Sequence, residues 1–111
     1  MNTSDTDRWK ADGLAIAQRY LAEDWAGLRA RFDRVMAEGL SEEQLREGWL
    51  WLRSAYGRAR ISGSPTSAIV GENTVVDVPL SFRRGLLRTS HRVRVSFSPS
   101  GEVAGLFVLK G

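Results

Sequence analysis

The chain has no cysteine, one histidine and three prolines among its 111 residues. Without cysteine there are no disulfide staples, no thiolate metal cluster and no cysteine nucleophile. A single histidine leaves too few imidazoles for a zinc centre, which normally takes three or four protein ligands. No apolar run approaches the roughly 20 residues that span a bilayer. The opening ten residues carry Asp5 and Asp7 and lack the apolar stretch of a secretory signal. Phosphate-loop glycines, a nucleophile elbow and a close pair of carboxylates are also missing. These absences suit a cytoplasmic domain with no membrane span, metal or cofactor.

What is present is an average globular composition, 42% hydrophobic and 26% charged, in one domain's length of chain. The net charge of +3 is unevenly spread. Residues 1–55 hold ten acids and eight bases, whereas residues 56–111 hold three acids, Glu72, Asp77 and Glu102, against eight bases. The basic excess therefore belongs to the second half.

Hydrophobic spacing divides the chain near residue 57. Trp9, Gly13, Ile16, Ala17, Tyr20 and Leu21 recur at three and four residues, the mark of one buried helical stripe. Asp24 suits the cap of a second helix, with Leu28, Phe32, Val35 and Met36 on its inner side and Arg29, Asp33 and Arg34 in solvent. Gly39 suits its end. Ser41-Glu42-Glu43-Gln44 reads as a capping box opening a third helix that runs to Tyr56, with Gly57 as a left-handed stop. Its stripe is Leu45, Gly48, Trp49, Leu52 and Tyr56. Leu50 and Trp51 fall outside that stripe, which predicts burial on two sides or, for Trp51, a pocket or subunit contact.

After Gly57 the period becomes two. Arg58 to Val70 is a weak strand, broken at Gly63-Ser64-Pro65. Thr74 to Arg83 puts Val76, Val78, Leu80 and Phe82 on one face and Val75, Asp77, Pro79, Ser81 and Arg83 on the other. Leu86 to Ser98 puts Leu87, Thr89, His91, Val93, Val95 and Phe97 inward, opposite Arg88, Ser90, Arg92, Arg94, Ser96 and Ser98. Pro99-Ser100-Gly101 turns the chain into a last strand, Val103 to Leu109. Three helices followed by four antiparallel strands make an α+β domain over residues 1–111, with helices (1–57) packed on one face of a curved sheet (58–111).

Three of these features together resemble the domain of unknown function 3887 family. They are Leu40-Ser41-Glu42-Glu43-Gln44-Leu45 after two amphipathic helices, a Trp-rich helix ending in Tyr56-Gly57, and the pair Val75-Val76-Asp77-Val78-Pro79-Leu80-Ser81-Phe82 and Gly101-Glu102-Val103-Ala104-Gly105-Leu106. The resemblance runs from about Ala11 to Leu109. It implies the cone-shaped, nuclear transport factor 2-like fold, whose superfamily holds isomerases, dehydratases, cyclases and epoxide hydrolases alongside binding and dimerisation modules.

Such a cone implies a cavity between helix and sheet, lined here by Trp49, Leu52, Tyr56, Val78, Leu80, Phe82, Val93 and Val95 and open to a small hydrophobic ligand. The leading reading is a ligand-binding or interaction module, homodimeric through its sheet, with Arg88, Arg92, Arg94 and Trp51 at the interface. The alternative is a cofactor-free isomerase, dehydratase or cyclase using His91 with Tyr56 or Asp77 as acid and base. Strict alternation puts Asp77 on the face away from the cavity, paired with an arginine of the next strand, unless a bulge near Pro79 turns it inward. The arginine stripe lacks interleaved aromatics and a recognition helix, so it does not point to nucleic acid.

Overall fold

The computed structural model describes residues 3–111. Met1 and Asn2, the start of the segment read for a signal, lie outside the described residues. Four helices come first: α1 (Thr3–Leu21), α2 (Trp25–Arg29), α3 (Arg34–Gly39) and α4 (Glu42–Tyr56). Five strands follow: β1 (Arg58–Ile61), β2 (Thr66–Val70), β3 (Asn73–Arg84), β4 (Leu87–Phe97) and β5 (Val103–Lys110). They form one antiparallel sheet in the order β1-β3-β4-β5, with β2 also pairing to β3. The α+β class is as expected, with one more helix and one more strand. Among the described residues no helix is long and apolar enough to cross a membrane.

The extra helix arises because a tertiary contact interrupts the second helical stripe. Asp24 caps α2 as expected, its side chain accepting from the Gly27 amide. Residues 31–33 then leave the helix and pair with the start of β5: Val103 donates to the Arg31 carbonyl at 2.8 Å, and Asp33 donates to the Val103 carbonyl at 2.9 Å. The Asp33 side chain restarts the helix as the cap of α3, accepting from the Met36 amide at 2.8 Å. Arg29 is not a solvent residue. It closes the far end of α3, donating to the Ala37 and Leu40 carbonyls at 2.7 and 3.0 Å. Val35, counted in the inner stripe, is 78% exposed.

The extra strand has an equally local cause. β1 pairs with Leu80 to Arg83 and β2 with Asn73 to Asp77, so the two lie end to end along one edge of β3. Between them the only ladder residue facing the edge is Pro79, which has no amide hydrogen to donate. Its carbonyl still accepts from Ser62 at 3.0 Å. The break read from Pro65 is thus matched by a second proline across the ladder.

The capping box of α4 is complete, with Gln44 Oε1 accepting from the Ser41 amide at 2.9 Å and Ser41 Oγ accepting from the Gln44 amide at 3.1 Å. Gly57 ends α4 with φ +92° and ψ −145°, outside the left-handed helical well but still closed to residues with a Cβ. A Cβ there would also lie 2.1 Å from the Arg83 carbonyl oxygen.

The core lies between the helices and one sheet face. Val76, Val78, Leu80 and Phe82 of β3 and Val93, Val95 and Phe97 of β4 meet Ile16, Ala17 and Tyr20 of α1, Leu28 of α2, and Leu45 and Trp49 of α4. Each Val, Leu, Ile or Phe side chain among them contributes about 1.5–3 kcal/mol by leaving water. Tyr20 joins the layers, its ring edge-on to both Trp25 (5.5 Å) and Trp49 (5.0 Å), and burial pushes its phenol up to about 12. Leu50 and Trp51 are not buried on two sides as one reading had it: they are 55% and 63% exposed.

Helix α1 approaches β3 most closely at Gly13, where a Cβ would stand 2.4 Å from Val76 Cγ1. Only hydrogen fits that gap. Gly13→Ala should therefore cost about 1–3 kcal/mol of stability through overpacking, despite alanine's better helix propensity. Urea unfolding of the two proteins measures it; an unchanged or raised midpoint would mean that α1 sits further from the sheet.

Candidate functional site

The residues expected to line a cavity are the packed interior. Trp49, Val78, Leu80, Phe82, Val93 and Val95 are each at most 1% exposed. A void large enough for water would register as exposed surface on its walls, so no water-sized space opens among these six. Leu52 and Tyr56 are half-buried at the rim. A cleft of about 170 Å³ opens between α4 and the sheet at the β5 edge, between Leu45 and Gly48 on one side and Leu106 and Val108 on the other.

The proposed acid–base residues divide between the two faces of the sheet. His91 and Tyr56 come together on the helix side, with ring centroids 4.5 Å apart and the rings edge to face. Phe82 closes the other flank of the imidazole at 4.8 Å, and Lys110, paired with His91 across the ladder, lies with its ammonium 5.7 Å from the Tyr56 ring centroid. His91 is neither at a strand start nor solvated: it sits within β4, 4% exposed. Neither ring nitrogen meets hydrogen-bond geometry with a partner, Tyr56 included. Burial, and then the charge on Lys110, lower its pKa below the ordinary imidazole value; the Thr89 backbone pulls weakly the other way.

Asp77 faces outward, away from His91. Its carboxylate takes two bonds from Arg94, from Nε at 2.8 Å and from the terminal nitrogen at 2.9 Å, with Arg92 Nε at 3.4 Å. The bond from Arg94 holds its carboxyl below the usual range against the opposing effect of partial burial, with the charges of Arg94 and Arg92 helping. No bulge turns β3 here: its register with β4 runs unbroken from Thr74 to Arg84. The sheet therefore separates Asp77 from His91 and, of the two proposed partners, brings only Tyr56 to the imidazole.

The arginine stripe of β4 lies on the outer sheet face, and its members differ in state. Arg92 and Arg94 share the carboxylate of Asp77, whereas Arg88 is exposed and joins none of the ion pairs found among the described residues. Arg88 belongs instead to a cup of about 320 Å³ walled by Arg58, Arg60, Ser81 and Arg83. Arg58 and Arg60 were not singled out from sequence, because strand alternation does not say which strands become neighbours. Trp51 lines none of these openings; its indole packs edge-on to Tyr56 at 6.1 Å. A further groove of about 550 Å³, between Arg8, Trp9 and Asp12 of α1 and the 99–102 turn, also went unread. Among the described residues no three histidine or acidic side chains gather as a metal site. No family model and no curated protein matches the chain.

Two titrations follow. His91 is the only histidine, so its ring signal in NMR should titrate below about 6.5. Because its folded value is lowered, the unfolded chain takes up the proton first, and stability should fall as pH drops through that window; His91→Leu should remove this loss. A midpoint at or above the ordinary value would mean that the ring is solvated. For Asp77 the folded value is also lowered, so its contribution is complete above about pH 4 and disappears on further acidification. Asp77→Asn should destabilise the chain at pH 7 and progressively less below pH 4, as read by urea unfolding across that range.

Proposed function

We propose that the chain is an interaction module of the cone-shaped, nuclear transport factor 2-like type that pairs with a second copy of itself through the outer face of its sheet. The observation that carries this reading is the composition of that uncovered face. Val70 and Phe107 stand 62% and 56% exposed there, with Ala68, Val75, Pro79 and Leu109 beside them. The Arg92–Asp77–Arg94 group sits in their midst with much of its charge compensated. A face with apolar side chains around an internally paired polar centre has the make-up of an association surface. A two-fold axis running across the strands would keep the uncompensated arginines of the two copies at opposite ends. The helix-first order and the family resemblance support the same reading.

A second reading, a cofactor-free isomerase, dehydratase or cyclase, has one observation in its favour: the buried His91 with both ring nitrogens unpartnered. Such groups are enriched where chemistry occurs. It needs room for a substrate beside His91, and the rings of Tyr56 and Phe82 occupy that position. The pairing reading asks for no such rearrangement.

Sedimentation equilibrium tests it. The wild-type chain should sediment at twice its chain mass at micromolar concentration, and Phe107→Glu combined with Val70→Glu should sediment as a monomer with an unchanged helical signal. A wild-type monomer across that range would refute the pairing.

A further inference from the structure

We propose that the arginine cup on the outer sheet face is a binding site for a phosphate group carrying at least two negative charges. Three of its arginines occupy one row of the sheet: Arg58 lies directly opposite Arg83, and Arg83 directly opposite Arg88. With strands about 4.8 Å apart, that row spans roughly 10 Å. Arg60 follows in the next row on the same face, opposite Ser81. Like charges placed directly across a ladder repel and destabilise the sheet. Four arginines wall the cup and no carboxylate does. None of the four joins an ion pair among the described residues.

The same sheet shows what a structural arginine looks like here. Arg92 and Arg94 share one carboxylate across a ladder position, whereas the cup holds twice as many arginines and no counter-charge. One bond engages the cluster: Arg83 Nε donates to the Gly85 carbonyl at 2.9 Å, which fixes that guanidinium and leaves its terminal nitrogens uncommitted. Guanidinium forks on neighbouring strands, aimed at one concavity, match the oxygens of a phosphate better than a single carboxylate. The site needs residues of one copy only, so it does not rest on the pairing reading.

The phosphate can belong to a soluble molecule or to a lipid headgroup, because the β3–β4 turn beside the cup carries Leu86, 98% exposed, while Leu87, 71% exposed, opens β4 on the opposite face. Leu87 pairs with Arg84, one row beyond Arg83 and Arg88. Arg84 in turn donates to the Ser54 carbonyl and holds this tip against the end of α4.

The test uses the whole chain and inorganic pyrophosphate. Pyrophosphate at millimolar concentration should raise the thermal unfolding midpoint above that in potassium chloride of equal ionic strength, since general screening is then matched. Combined Arg83→Gln and Arg88→Gln should weaken binding by calorimetry at least about ten-fold. In chloride alone the same variant should unfold at an equal or higher temperature than wild type, because the opposed charges are gone; a merely structural role would lower it. In a second arm the chain is floated with phosphatidylcholine vesicles with and without phosphatidic acid. Flotation only with phosphatidic acid, lost in Leu86→Ser while pyrophosphate still binds, assigns the headgroup as the source. Pyrophosphate binding without flotation assigns a soluble phosphate. No pyrophosphate effect beyond chloride and no flotation, or an Arg83/Arg88 variant that binds like wild type, overturns the site.

Discussion

Everything in this molecule hangs on the two-residue alternation of β3. It pairs with three other strands, β1 and β2 on one edge and β4 on the other. Its inward residues, Val76, Val78, Leu80 and Phe82, meet all the larger helices, and Val76 sets how near α1 can come. Its outward residues, Asp77, Pro79, Ser81 and Arg83, set in turn a salt-bridge centre, a break in the facing edge and the middle of an arginine row. Slipping this strand by one residue would exchange a core for a charged surface, so its register is strongly specified.

A filled interior decides where function can reside. Aromatic rings fill the space between the helices and the sheet. Trp49 packs against Tyr20 and Phe82, and Phe82 against Tyr56 and His91. Burial of His91 in that cluster, and then the charge on Lys110, is why its neutral form is favoured. With the inner face committed to packing, the outer face is where a partner or ligand can approach without cost to the core.

The features legible in the sequence are those determined by neighbours along the chain. Alternation assigned the inward and outward residues of β3 and β4, Ser41 and Gln44 announced the start of α4, and Gly57 its end. Asp77 pairing with a neighbouring-strand arginine also followed from alternation alone. What was not legible depends on contacts between distant segments. The 31–33 segment keeps its helical spacing but is drawn out of the helix by Val103, and no local preference signals that bridge. Arg58 and Arg60 looked like charges on a weak strand because only the β1–β3 register sets them against Arg83 and Ser81. The depth of His91 depends on Tyr56 and Lys110 closing over it from α4 and β5.

The distribution of arginine over the outer face follows from where one acid stands. Asp77 is the single carboxylate in the centre of that face, and it lies opposite Arg94, one ladder position from Arg92. One carboxylate therefore offsets one of the two guanidinium charges, and both guanidinium groups are partly shielded. Moving along β3 towards Arg83, the outward positions become Pro79 and Ser81, neither of which can offset charge. The facing residues on β1 and β4 are nevertheless Arg58, Arg60 and Arg88. Stability alone would favour a neutral residue at the exposed position of Arg83, since it would relieve the opposed charges. A sheet that places a counter-charge at its centre and none among the four arginines at its end has the charge pattern of a surface completed by something outside the chain.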